Sequence, residues 1–220
     1  MLKKIASEDY IKTIASLSLN GNQKTVRITD VSKKLGVSIP AVSDMVKKLV
    51  KDGLVINHAY RGVELTEDGY QMGIQLIRNH RLWEVFLVQV LKMPMADIHD
   101  EAERLEHAVS ERLMERIDAF LGYPTVDPHG NPIPSGSGEI VFQKDEMILL
   151  DADVDARYWI RRFGGLDASY LQYISSKGVV IGQSIKVKYK FPDSMVFDVN
   201  GFELTVSNDI AVSIFVTQSH

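Results

Sequence analysis

Apolar residues recur at helical spacing through the first third of the chain. Tyr10, Ile11, Ile14, Ala15 and Leu17 mark a helix over about residues 7–19, ended by Asn20-Gly21-Asn22. Thr29 is placed to cap a short helix over Asp30–Leu35, closed by Gly36. Ser38 caps the next helix, with Pro40 in its first turn and Val42, Val46 and Leu49 as its buried stripe. Asp52-Gly53 stops it. Leu54-Val55-Ile56 and Gly62-Val63-Glu64-Leu65 then read as short strands around the turn His58–Arg61, and Thr66 caps a long helix through about Leu91. Helix, short helix, Gly-centred turn, helix and β-hairpin is the order of a winged helix-turn-helix, whose helix after the turn reads DNA.

A second helical region spans Met95–Leu121, with a break expected near Ile98-His99, and Gly122-Tyr123-Pro124 ends it. Residues 122–138 hold Pro124, Pro128, Pro132, Pro134 and several glycines, the composition of a linker or extended loop. Beyond it the period changes to two. Ile140–Phe142, Tyr158–Ile160, Ser184–Tyr189, Met195–Val199, Glu203–Val206 and Ala211–Val216 are short strand candidates, with one helix at about Ala168–Lys177. The expected fold is therefore mainly α with a small all-β third domain. Residues 1–71 form a winged helix, 72–138 a helical domain ending in the linker, and 139–220 a small barrel.

Charge sharpens this division. Residues 1–71 carry 11 Lys/Arg against 8 Asp/Glu, residues 72–140 carry 6 against 11, and residues 141–220 carry 8 against 10. A basic first segment joined to an acidic middle suggests a polyanion at one end and cations at the other, although ordinary surface charge gives the same counts. The chain of 220 residues has no cysteine, which excludes disulfides, zinc–thiolate sites, iron–sulfur clusters and a cysteine nucleophile. No apolar stretch follows Lys3-Lys4 as a signal peptide requires, and no run is long enough to cross a membrane. A cytoplasmic location without membrane contact is expected.

The middle segment carries the chemistry. On a continuous helix Glu103, Glu106 and His107 share one face, with His99 one turn earlier, and His80 and Glu84 lie four apart on the long helix. Carboxylates with one or two imidazoles suit Mn²⁺ or Fe²⁺, while Zn²⁺ outranks both in raw affinity and can substitute in vitro. The competing reading is a solvated acidic face. Walker A, GxGxxG, GxSxG and HExxH motifs are all missing, so no enzyme is expected. The alternative keeps the acidic helix as the catalytic site of a metal-dependent enzyme, with the winged helix as an interaction module.

Residues 38–53, Arg78-Asn79-His80-Arg81-Leu82, His99-Asp100-Glu101-Ala102, Glu106-His107 and Gly130-Asn131-Pro132-Ile133-Pro134 together resemble the diphtheria-toxin-repressor and manganese-transport-repressor family. The resemblance covers about residues 5–135 closely and the C-terminal segment loosely. It implies a metal-activated homodimeric repressor that binds a palindromic operator in double-stranded DNA, controls metal-ion uptake and takes no small organic substrate. It also implies an SH3-like (FeoA-like) third domain. Carried over, the primary metal site is Asp9, Glu103, Glu106 and His107, with His80 beside it. The iron-sensing branch has Met and Cys where this chain has Asp9 and Glu103, so the resemblance points to Mn²⁺, with Fe²⁺ as the alternative. Two-domain manganese members have an acidic residue where this chain has Lys12. A second site would therefore draw on Glu84, Asp127, His129 and Asp167.

The helix from Ser38 to Asp52 is expected in the major groove. Pro40 and Ala41 face thymine methyls, Asp44 a cytosine amino group, Arg27, Ser38, Ser43, Lys47 and Lys48 the phosphates, and Arg61 sits at the wing tip. Leu105, Val109, Leu113, Ile117, Phe120 and Leu121 form the apolar stripe of an expected dimer surface over residues 95–121.

Overall fold

The computed structural model describes residues 2–21, 23–166 and 168–218, so Asn22 of the first helix stop lies outside the described residues. The described chain divides into two compact units. One comprises residues 1–83, 103–117 and 134–139, and the other residues 84–102, 118–133 and 140–220.

The first unit opens with α1 (Leu2–Gly21), β1 (Thr25–Val26), α2 (Ile28–Leu35), α3 (Ile39–Lys51), β2 (Val55–His58) and β3 (Gly62–Leu65). Gly36 closes α2 in the left-handed conformation at φ 66°, its N–H bonded to the Ser32 carbonyl. Ser38 then caps α3 by accepting from the Ala41 N–H, and Pro40 sits in the first turn. The cap expected at Thr29 is not formed: α2 begins one residue earlier, after Arg27, whose side chain makes no capping bond. The three strands form an antiparallel sheet in the order β1-β3-β2, with β1 unforeseen because two residues carry no readable period. Tyr10, Ile11 and Ile14 of α1 share a buried core with Val31, Val42, Val46, Leu49, Val55 and Val63. The winged helix-turn-helix is therefore present, with α1 built into its core.

Helix α4 (Glu67–Gln89) starts at Thr66, whose Oγ1 accepts from the Gly69 N–H. A Cβ on Gly73 would lie 2.7 Å from the Ala15 Cβ and 3.3 Å from the Ile11 carbonyl oxygen, so the missing side chain lets the α4 backbone lie against α1. Helices α5 (Ile98–Leu105) and α6 (Glu111–Phe120) follow. The break lies at residues 106–110, not at Ile98-His99, because Ser110 caps α6 through the Leu113 N–H. Glu103 is thus helical, whereas Glu106 and His107 belong to the turn after α5.

In the second unit, β4 (Met147–Ile148), β5 (Arg157–Phe163), β6 (Ser184–Lys190), β7 (Ser194–Val199), β8 (Phe202–Ser207) and β9 (Ile214–Thr217) make one antiparallel sheet in the order β4-β9-β5-β6-β7-β8. Helix α7 (Ala168–Ser176) and the short α8 (Asn208–Ala211) are inserted along it. Register shifts at Ile160/Arg162 and Val187/Tyr189 bend the strands around a core centred on Tyr158, Ile160, Val187 and Phe197. The C-terminal segment is built on one β-sheet as expected, with two corrections: Ile140–Phe142 is not a strand, and of Ala211–Val216 only the part from Ile214 is, because Ala211 ends α8. Val141 is exposed, and the Phe142 ring lies 5.3 Å from the Arg162 guanidinium.

Candidate metal centre and nucleic-acid interface

Two stretches of the first unit build the centre. From α1 come Glu8, Asp9 and Lys12; from the end of α5 and its turn come Glu103, Glu106 and His107. Asp9, Glu103, Glu106 and His107 offer one donor atom each within 4.8 Å of one another. Opposite donors around a first-row divalent ion bound at about 2.1 Å are about 4.2 Å apart, so the cluster is nearly of coordinating size. His107 Nε2 lies 2.9 Å from Asp9 Oδ1 and 3.5 Å from Glu106 Oε1. Glu106 is buried, and its Oε1 has no hydrogen-bond partner. An orphaned carboxylate oxygen facing another carboxylate and an imidazole nitrogen is what a cation would satisfy. The donor set therefore fits a divalent metal ion.

The electrostatics agree. Burial pushes the Asp9 carboxyl above its ordinary value; His107 and Lys12 oppose the shift, and Glu103 and Glu106 reinforce it. The other oxygen of Glu106 is occupied. Lys12 Nζ donates to Glu106 Oε2 at 2.6 Å and to both oxygens of Glu103 at 2.9 and 3.0 Å, and lies 3.0 Å from His80 Nδ1. His80 Nδ1 is also 2.6 Å from Glu106 Oε2.

The tripeptide Arg78-Asn79-His80 holds this geometry from α4. Arg78 donates to the Pro134 carbonyl at 2.6 Å, Asn79 Nδ2 donates to the Glu106 carbonyl at 3.3 Å, and His80 meets the Glu106 carboxylate. Two participants escaped the sequence reading. Glu8 is buried and accepts from His107 Nδ1 at 2.9 Å, and Ser7 accepts from Lys48 Nζ at 2.7 Å.

Of the residues expected at a second site, the structure brings Glu84 and His129 together. In the second unit Glu84 is buried, with His99 Nδ1 at 3.5 Å and His129 Nε2 at 3.6 Å from its Oε1. Asp127 is engaged in its own turn. Its Oδ1 accepts from the backbone N–H groups of His129 and Asn131, and its Oδ2 from the Asn131 side chain, so this carboxylate shapes the turn 127–131. Asp167 lies outside the described residues.

Arg27 ahead of α2, Ser38, Pro40, Ala41, Asp44, Lys47 and Lys48 at α3, and Arg61 in the wing are all exposed. Ser43 is half-buried and donates to the Ile39 carbonyl, which turns its hydroxyl back onto its own helix. Asp44 pairs with Lys47 at 2.8 Å, both side chains largely in solvent. Ile39, 48% exposed in the first turn of α3, is an apolar group at the reading end that the sequence reading omitted. Along α6, Met114 and Ile117 are buried whereas Leu113 and Phe120 are exposed. Among the described residues no helix is long and apolar enough to cross a membrane.

Three family profiles match the chain. They are the iron dependent repressor N-terminal DNA binding domain over residues 4–63, the iron dependent repressor metal binding and dimerisation domain over 66–135, and the FeoA domain over 147–218. The chain is 39% identical over 128 residues to the iron-dependent repressor IdeR of Mycobacterium tuberculosis. That stretch is 58% of this chain and 55% of that relative, so the match spans about half of the relative's length. It is 30% identical over 220 residues to the diphtheria toxin repressor of Corynebacterium glutamicum, 96% of this chain and 95% of that protein. Among solved structures it is similar to the manganese regulator SloR, with 33% identity, a TM-score of 0.84, and 97% and 98% of the two chains covered.

Proposed function

The chain belongs to the family of iron-dependent and diphtheria toxin repressors, and from that premise we propose that it is a homodimeric DNA-binding repressor, activated by Mn²⁺, that controls metal-ion uptake. The observation that carries this reading is the convergence of Asp9 with Glu103, Glu106 and His107. The roles follow the three segments: residues 1–71 bind DNA, 72–138 dimerise and hold metal, and 139–220 form the FeoA-like domain.

A divalent ion bound there supplies positive charge shared between α1 and the turn after α5. The chain's own residues do the rest. Asp9 is continuous with Tyr10, Ile11 and Ile14, which are packed in one core with Val42, Val46 and Leu49 of α3. Fixing Asp9 therefore fixes the attitude of the recognition helix, and Lys48 of α3 is tied directly to Ser7 of α1. In a dimer formed through residues 95–121, with exposed Leu113 and Phe120 at its surface, this sets the separation of two recognition helices. Half-sites one helical turn apart require about 34–36 Å.

Oxygen donors dominate the centre and no thiolate exists in the chain, which favours Mn²⁺, then Fe²⁺, over softer ions. Glu84, His99 and His129 are the candidates for a second ion. A gel shift on operator DNA with Mn²⁺, Fe²⁺ or Zn²⁺, for wild type and Asp9→Ala, tests the proposal. Mn²⁺-dependent retardation is expected in wild type, with a weakened response in the variant although metal still binds. A wild-type activation curve for Asp9→Ala overturns the coupling. Retardation indifferent to metal overturns the function.

A further inference from the structure

We propose that the tip of the wing is a second DNA contact: the Tyr60 ring packs on a deoxyribose beside the sequence that α3 reads, and its hydroxyl joins the Arg61 guanidinium on the adjoining phosphates. This rests on the DNA-binding reading above and adds a residue to it.

Tyr60 is costly to the fold in two ways. The chain reverses over residues 58–61, where the Arg61 N–H donates to the His58 carbonyl at 3.0 Å, and Tyr60 takes the third position with φ 63°. Turns favour glycine or asparagine where that position has a positive φ, because a Cβ is crowded in the left-handed region. A bulky aromatic there is an outlier, and outliers of this kind gather where a chain meets a partner. The ring is also wholly in solvent, at 109% of its reference accessibility. Among the described residues its side chain has no hydrogen bond and no ring contact, so nothing within the fold offsets either cost.

The base of the wing is firmly held. Strand β3 is bonded to β1 on one side and β2 on the other, and His58 Nε2 lies 2.8 Å from Glu64 Oε2 across the hairpin. A Cβ on Gly62 would collide with the Val26 carbonyl oxygen, so the hairpin backbone lies directly on β1. Val55 of β2 and Val63 of β3 share one core with Val46 and Leu49 of α3, which fixes the tip relative to the recognition helix. A held arm loses little freedom when a partner takes its end. The chemistry of that end points to the sugar–phosphate backbone. Arg61 is exposed beside Tyr60; guanidinium and phenol hydroxyl both donate to phosphate oxygens, and a flat ring fits the apolar side of a sugar. The DNA binding domain profile runs to residue 63 and so includes the tip. Contacts to sugar and phosphate fix the position of a protein on the duplex and carry no sequence information.

The test uses the full-length chain in saturating Mn²⁺, on duplexes that wild type selects from a random-sequence library. Affinity is read by fluorescence anisotropy, and sugar contacts by cleavage with radiolytic hydroxyl radicals, which attack deoxyribose. Wild type is expected to protect sugars flanking the selected sequence. Tyr60→Gly is expected to lose that flanking protection and to bind roughly tenfold more weakly, on selected and unrelated duplexes alike. Its urea midpoint should stay level or rise, since glycine is at ease in the left-handed turn. Tyr60→Phe keeps the ring, and should keep the sugar protection while losing part of the affinity. An unchanged footprint and affinity in Tyr60→Gly overturn the wing contact, as does a loss confined to the selected sequence. A lowered urea midpoint in Tyr60→Gly makes the ring a support of the fold and overturns it too. A wild type that selects no duplex in Mn²⁺ overturns the DNA-binding reading itself, whereas a wild type that selects DNA as tightly as Tyr60→Gly leaves that reading standing and removes only the wing.

Discussion

Replacing Lys12 by Met keeps the aliphatic stem and removes the ammonium from the middle of the centre. Lys12 is 12% exposed and its partner Glu106 is 0% exposed, so Glu106 would be left as a buried carboxylate facing Asp9 and Glu103. Breaking a buried pair from one side costs about 3–5 kcal/mol. The second partner, Glu103, is 42% exposed, and its contact adds little. His80 Nδ1 still reaches Glu106 Oε2 at 2.6 Å, which moves the expectation to the lower end, about 3 kcal/mol. The chain has two tryptophans, and Trp83 lies on α4 at the edge of the unit that carries the centre, so its fluorescence in a Trp159→Phe background reports the unfolding of that helix. Urea unfolding in EDTA should show the full loss. In saturating Mn²⁺ the gap between variant and wild type should shrink to about 1 kcal/mol, because an ion beside Glu106 Oε1 supplies the missing positive charge. A loss below about 1 kcal/mol in EDTA refutes the burial argument. An equal loss with and without Mn²⁺ refutes the placement of the ion next to Glu106.

Asp9→Asn should flatten the pH dependence of the metal-free fold. The folded-state value of Asp9 is raised, so its contribution to stability is fully present below the ordinary carboxylate range and is lost as pH rises through the raised value; denaturation of the metal-free protein across mildly acidic pH reads this, and identical profiles for variant and wild type would count against it. Gly73→Ala sets a methyl 2.7 Å from the Ala15 Cβ, an overpacking of about 1–3 kcal/mol that outweighs the roughly 1 kcal/mol gain in helix propensity. Trp83-monitored unfolding should show a net loss and Mn²⁺ titration a weaker centre, whereas a stabilised variant would exclude the close α1–α4 approach. In the second unit Arg162 and Glu146 are 5% and 8% exposed and paired at 3.0 Å; Glu146→Leu should cost about 3 kcal/mol, read from Trp159 in a Trp83→Phe background, and a cost under about 1 kcal/mol would mean that Arg162 is hydrated.

What could be read in advance was encoded locally. Val42, Val46 and Leu49 announce α3 by spacing alone, and Ser38, Pro40 and Gly36 punctuate it through capping and backbone preferences that need no tertiary partner. The helix break at residues 106–110 was misplaced because Ser110 competes with helix-forming neighbours, and only its capping bond to Leu113 decides the outcome. That error matters, since Glu106 and His107 reach Asp9 from a turn and not from a helix face. Asp127 is legible as a turn former, because Asp-Pro-His-Gly-Asn is a sequence of turn residues. Glu8 carries no spacing signal at all, as its neighbour Asp9 already occupies the direction towards the centre. Only the approach of His107 between the two reveals it.

The arrangement also explains why metal can act as a switch rather than as a structural staple. Helix α1 already holds the 103–107 segment without metal, through Lys12 to Glu103 and Glu106 and through Glu8 to His107. A metal ion therefore need not organise the whole junction; it acts on the groups left in conflict, Asp9 and Glu106 Oε1. A tenfold gain in DNA affinity is only about 1.4 kcal/mol, and linkage requires DNA to tighten metal by the same factor. Relief of one half-buried carboxylate and one orphaned oxygen is of that order, about 1–3 kcal/mol. Had the junction depended on metal alone, as in small domains folded by zinc, the apo-protein would lose its winged-helix core together with its α1 contacts. Because α1 is anchored on its other side by Tyr10, Ile11 and Ile14, the proposed mechanism requires that the recognition helix stay folded on metal loss and change only its attitude.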